Sequence, residues 1–184
     1  EAANWFHRHM EYFDIAGKFD FGDLIYLKNS PYASDYRHIS LKVHPRSEYW
    51  NNNEEDPIHG LFLHSLRTGN INHLKLAMNM ARHFWDIDVC HYPEWGVYTH
   101  AYGHCFRGQS SATDHFWIEG LLDYYLQDGN PDILEGIKGI ARYCIKHMTE
   151  IKMTTTNLRE VSIAIMQAVN YYNFLGEKEL LEKA

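Results

Sequence analysis

Apolar and polar positions along the chain fall into a recurring unit. It consists of a helix apolar on most sides, a turn built on Gly, and a helix apolar on one side. Residues 56–85 read DPIHGLFLHSLRTGNINHLKLAMNMARHFW, and residues 115–145 read HFWIEGLLDYYLQDGNPDILEGIKGIARYCI. Aligning Gly69 with Gly129 gives an offset of 60, which also puts Gly60 on Gly120, Leu61 on Leu121, Leu66 on Leu126, Leu74 on Leu134, Ala81 on Ala141 and Arg82 on Arg142. A weaker third copy ends at Gly176, where Ala168, Tyr171, Tyr172 and Leu181 take the places of Leu121, Tyr124, Tyr125 and Leu134. A hairpin that cannot bury its apolar face alone buries it against the next copy. The pattern therefore predicts an all-α array of stacked hairpins, a solenoid or an (α/α) toroid or part of one.

Local chemistry sets the boundaries. Helices are expected near 54–68 and 71–88, joined by Thr68-Gly69-Asn70, with Gly at the left-handed position after the first helix and Asn capping the second. A second pair is expected at 112–127 and 131–148, where Asp128-Gly129-Asn130-Pro131 adds Pro at the first helical position. The first helix of each pair (Ile58, Leu61, Phe62, Leu63, Leu66; then Leu121, Leu122, Tyr124, Tyr125, Leu126) has little polar face, so it is expected to be buried on more than one side and to line the inside. The second carries a single stripe: Leu74, Ala77, Met78, Ala81, Phe84 and Trp85, then Ile133, Leu134, Ile137, Ile140, Ala141, Cys144, Ile145 and Met148. A third pair is expected at 158–175 and 177–184, opened by a capping box at Asn157-Leu-Arg-Glu160. Upstream, residues 1–16 read as a helix with Trp5, Met10 and Phe13 toward the core, ended by Gly17. Residues 18–53 read as irregular apart from a short strand at 39–43, and a structureless connection of that length is usually functional. About seven helices fall short of six full hairpins, so residues 1–184 are expected to form one toroid domain that is part of a larger multidomain protein.

Composition narrows the partners. The 184 residues carry a net charge of −7, which argues against a nucleic-acid backbone and requires local Arg, Lys or His for any anionic ligand. Aromatic residues make up 15%, with 13 Tyr and 5 Trp, and there are 13 His. Aromatic faces stack on sugar rings as readily as they fill cores, so this favours a ligand groove. Cys90, Cys105 and Cys144 lack metal-ligand spacing and do not make a disulfide framework. No apolar run of about 18 residues exists, so no membrane span is expected. The compartment is left open between secreted or periplasmic and cytoplasmic.

Three segments carry candidate chemistry. The first runs from His44 to His59 and delivers Arg46, Tyr49, Trp50, Asn51, Asn52, Asp56 and His59 to the start of an inner helix. Capping by Asn53 and acids matched to the helix dipole explain part of it, but not Tyr49, Trp50 or His59. The second, GVYTHAYGHCFRGQ at 96–109, alternates small residues with Tyr98, His100, Tyr102 and His104, which puts those four on one face of an extended stretch, and brings Arg107. His100 and His104 have HxxxH spacing, but the Glu of HExxH is missing and Gly103 weakens a helix, so no metal is predicted. The third, 110–119, opens the next inner helix with Asp114, Trp117 and Glu119. Glu119 sits inside an apolar helix and must either brace the core or face a cavity. Asp56 and Asp114, each in the first turn of successive inner helices about 8–10 Å apart, form a pair of acids able to flank one glycosidic bond.

Five stretches together resemble the helical toroid of the exo-rhamnogalacturonan lyase and YetA-like family: FDFGDL at 19–24, YWNNNEEDPIHGLFLHSLRTGN at 49–70, ARHFWDIDVCHY at 81–92, GVYTHAYGH at 96–104 and WIEGLLDYYLQDGN at 117–130. The resemblance implies β-elimination on a rhamnose–galacturonate saccharide by a protein with further β-rich domains. Such a reaction needs a base for the C5 proton, a group neutralising the uronate, and an acid for the leaving oxygen. Chemistry assigns the base to His100 or Tyr98, the acid to Tyr102 or His104, and the clamp to Arg46, Asn52 or Arg107, with Trp50 and Trp117 stacking on sugar. No cofactor is predicted, with a divalent cation left open. Two alternatives stand beside this: an unsaturated uronyl hydrolase using Asp56 and Asp114, and a non-catalytic carbohydrate-binding or structural module.

Overall fold

The computed structural model describes residues 2–13, 24–27, 48–51, 56–92, 94–97, 117–148 and 158–182. These are mostly helical. In chain order they form α1 (Ala2–Phe13), β1 (Leu24–Leu27), β2 (Glu48–Asn51), α2 (Pro57–Thr68), α3 (Ile71–His83), β3 (Val89–Cys90), β4 (Gly96–Val97), α4 (Glu119–Asp128), α5 (Pro131–Met148), α6 (Leu158–Leu175) and the single turn α7 (Glu179–Glu182). A π-helical turn, Phe84–Asp88, continues α3 into β3. The all-α expectation holds, and so do the hairpin turns. Gly69, Gly129 and Gly176 all adopt positive φ, at 68°, 71° and 71°. Each N–H donates to the carbonyl four residues back: Ser65, Tyr125 and Tyr172. Asn70 and Asn130 then cap the following helices by accepting from the N–H of Asn72 and Asp132.

Helices α2 and α3 pack as one hairpin and α4 and α5 as the next; α2 lies beside α4, and α5 packs on α6. The stripe predicted for α5 is the core face: Ile133, Ile137, Ile140, Ala141, Cys144 and Ile145 are buried. On α3 the buried face is rotated slightly from expectation. Leu76, Ala77, Met80, Ala81 and Phe84 are buried, while Leu74, Met78 and Trp85 are partly so. Ala168 and Tyr171 on α6 are buried like their equivalents Leu121 and Tyr124.

Four expectations are corrected. Helix α4 begins at Glu119, with Ile118 as its cap residue; residues 112–116, where its start was expected, lie outside the described residues. Glu119 is in its first turn, and Asp114 lies outside the described residues. Helix α2 begins at Pro57 with Asp56 as its cap, a role given above to Asn53, which lies outside the described residues. The segment 18–53 contains β1 and β2, paired antiparallel with Leu24 opposite Asn51 and Leu27 opposite Glu48. These strands have four residues each, and the intervening chain carries no two-residue turn signal, so period alone did not reveal them. Lastly, the first helices are not covered on every side: Leu63, Leu66 and Leu126 are exposed, Leu66 by 76%. The expected strand at 39–43 and Asn157 of the capping box lie outside the described residues.

Close approach of α2 and α4 depends on one glycine. A Cβ at Gly120 would stand 2.5 Å from Asp56 Oδ1 and 2.7 Å from Ile58 Cβ, whereas at the repeat-equivalent Gly60 it would meet nothing within 4 Å. Gly120→Ala is expected to destabilise the fold by about 1–3 kcal/mol through overpacking. Gly60→Ala is expected to stabilise it by about 0.5–1 kcal/mol through helix propensity. Urea denaturation of both variants checks the contrast; equal effects would contradict this packing.

Candidate functional site

Two of the three segments that sequence chemistry singled out, 44–59 and 110–119, lead to α2 and α4, and the starts of these helices are joined by the Asp56 side chain. Asp56 Oδ1 accepts from the His59 N–H at 3.0 Å, capping α2, and Oδ2 accepts from the Gly120 N–H at 2.8 Å, in the first turn of α4. Both donors belong to helix first turns, whose N–H groups have no intrahelical partner. The residue achieves this reach in a left-handed conformation, φ 49° and ψ 59°, which non-glycine residues seldom adopt and which Asp and Asn tolerate best.

The same register brings a second pair together. His59 Nδ1 lies 2.6 Å from Asp123 Oδ2. Both contacts, Asp56 with Gly120 and His59 with Asp123, span 64 residues. The sequence repeat is 60, so α2 and α4 are staggered by about one helical turn. With Nδ1–H donated to the carboxylate, the imidazole is fixed in the tautomer that leaves Nε2 with its lone pair, the arrangement that orients a general base. Glu119 takes the bracing role. Its carboxylate accepts from Gln167 Nε2 at 3.2 Å and from Asn170 Nδ2, tying α4 to α6.

Three carboxylates thus gather at the joined helix starts, and among the described residues none is paired with Lys or Arg. Their titration reflects it. Burial pushes the Asp56 carboxyl from 3.8 up to about 6; the His59 and Gly120 N–H bonds oppose the rise, and the Glu119 charge adds to it. Burial also raises Asp123 against the pull of its His59 bond, with Glu119 again adding. Tyr171 is raised well above its ordinary range by burial and by the fields of Cys144 and Glu119. Its hydroxyl, Gln167 Oε1 and Trp117 Nε1 are buried without hydrogen-bond partners.

Of the residues singled out by sequence, the structure unites Asp56, His59 and Glu119, with Trp117 two residues before α4. Tyr49, Trp50 and Asn51 lie on β2, opposite Tyr26, Ile25 and Leu24. Arg46, Asn52, Tyr98, His100, Tyr102, His104, Arg107 and Asp114 lie outside the described residues. Sequence reasoning missed Asp123, Gln167 and Asn170. Asp123 had a signal: it lies four residues after Glu119 and breaks the same apolar helix. Among the described residues no group of three or more His, Cys, Asp or Glu is arranged to hold a metal, and no helix is long and apolar enough to cross a membrane. The chain matches no protein-family model, no curated protein and no solved structure.

Because its folded-state pKa is raised, Asp56 binds a proton more readily in the native than in the unfolded chain. Its contribution to stability therefore falls as pH rises from about 4 to about 6. Asp56→Asn keeps the shape, the left-handed conformation and one acceptor but removes the charge. Its unfolding free energy, measured in urea across this window, is expected to lose that falling component; a pH profile parallel to the parent's would contradict the assignment.

Proposed function

We propose that the chain is the toroid portion of a carbohydrate-active protein that cleaves a uronate-containing saccharide by β-elimination, as the resemblance to the rhamnogalacturonan lyase family implies. The observation that carries this reading is the His59–Asp123 dyad at the junction of the two helix starts, 2.6 Å from nitrogen to carboxylate and partly open to solvent. It supplies a base with a fixed tautomer, the first requirement for removing a C5 proton. In the reading from sequence that role fell to His100 or Tyr98. The dyad makes His59 the favoured base and leaves Tyr98, His100, Tyr102 and His104 as sources of the acid. The described part of the junction offers three acids and no cation of its own, so neutralising the uronate falls to Arg46, Asn52 or Arg107. The hydrolase alternative draws on the raised titration of Asp56, but both Asp56 oxygens already accept backbone N–H bonds.

Incubation with rhamnogalacturonan oligosaccharides should raise absorbance in the unsaturated-uronate band. His59→Ala should lower that rate by about 10²–10⁴-fold, and Asp123→Asn by a comparable factor. Unchanged turnover in His59→Ala would remove the dyad from the reaction. Loss of a pre-formed unsaturated band would instead support the hydrolase, and saccharide binding without turnover the non-catalytic module.

A further inference from the structure

The His59 dyad is not the only place where imidazoles are held in a fixed state. Three histidines that no motif singled out gather where α1 meets the start of α3. Their protonation can be read by following the hydrogen bonds. Asn70 caps α3 with its Oδ1, which accepts from the Asn72 N–H at 3.0 Å. That fixes the amide's orientation, so Asn70 Nδ2 is the group 3.1 Å from His73 Nε2 and donates to it. His73 Nε2 is then an acceptor and carries no proton. The proton sits on Nδ1, which faces His7 Nε2 at 3.1 Å and donates there. His7 in turn holds its proton on Nδ1. His73 is buried, and burial, with His64 and His7 nearby, pushes its titration down, in keeping with a neutral ring. The chain of bonds ends in one directed N–H donor, His7 Nδ1.

His7 lines a cleft of about 910 Å³ whose walls combine polar side chains with Met10 and Leu76. Asn4, Asn72 and Asn79 line it, all exposed, and their side-chain amides make no hydrogen bond among the described residues. Each amide presents a donor and an acceptor side by side, which matches the paired character of a sugar hydroxyl. Among the described lining residues, Lys75 and Arg8, which also has an interaction of its own, stand beside one carboxylate, Glu11. On a chain of net charge −7 this is a local reversal of sign, of the kind needed to hold an anion. The volume lies within the range of small-molecule sites. Carboxamides suit a hydroxyl-rich ring, and the cations with the His7 donor suit a carboxylate.

We propose that the cleft between α1 and α3 is a second binding site, taking a carboxylate-bearing saccharide. The choice of a sugar acid as the ligand class rests on the proposed function; the cationic, amide-lined cleft does not. The test uses free galacturonate, which has no glycosidic bond to eliminate, with galactose as its uncharged counterpart and inorganic phosphate as a plain anion. Histidine ring signals of the intact chain are followed by NMR. Galacturonate should shift His7 and His73. Lys75→Ala with Asn79→Ala, two exposed positions whose loss does not threaten folding, should weaken that response by about 10-fold or more, and galactose should bind about 10-fold more weakly than galacturonate. No shift, a response indifferent to the double substitution, or phosphate and galactose acting as strongly as galacturonate would overturn the proposal. Failure of elimination alongside a galacturonate response that depends on Lys75 and Asn79 would count only against the proposed function. Normal elimination with an indifferent cleft would count only against this site.

Discussion

One carboxylate holds the described architecture in register. Asp56 accepts one N–H from its own helix and one from the helix 64 residues on, both from turns whose donors would otherwise go unmet. Capping by an acid is ordinarily a local matter worth about 1 kcal/mol. Here the cap spans two helices. It needs the left-handed backbone at Asp56 to turn the carboxylate outward, and it needs Gly120 to let α4 come close enough to be reached. The stagger of one turn between α2 and α4 then follows, and with it the meeting of His59 and Asp123.

Electrostatics at this junction are resolved without basic side chains. Asp56 relies on backbone N–H groups, Asp123 on an imidazole and Glu119 on two carboxamides from α6. Neutral donors solvate a buried carboxylate less completely than an Arg would, and the acids repel one another. The upward shifts of Asp56 and Asp123 are the result. A junction that is acidic and half-open contrasts with the α1–α3 cleft, where hydrogen bonds link His7, His73 and Asn70 and the described lining carries Arg8 and Lys75 beside Glu11. Two kinds of polar surface are thus built on one helical scaffold.

Much of the scaffold was legible in the residue order. Glycine at 69, 129 and 176 announced three left-handed turns, and Pro131 with its following stripe gave α5 with both ends in place. These signals are local, set within a few residues by backbone sterics and helical period. Other features were not legible because they are not local. The start of α4 at Glu119 coincides with the bond from the Gly120 N–H to Asp56, a contact no local pattern announces. The pairing of β1 with β2 joins strands twenty residues apart. Asp56 and His59 were singled out by position, but their partners depend on a contact offset of 64 where the repeat in the sequence is 60. Asp123 could be seen as an anomaly in an apolar helix; that it answers His59 could not.

The Gly120 amide offers the most direct test. It lies in the first turn of α4, where backbone N–H groups lack intrahelical acceptors, and its acceptor is Asp56. Native-state hydrogen exchange should find this amide protected in the parent chain. In Asp56→Ala it should exchange far faster, while the turn amide of Gly129, bonded to the Tyr125 carbonyl at the other end of α4, keeps its rate. Equal exchange at Gly120 in the two proteins would contradict the claim that this carboxylate joins the two helices.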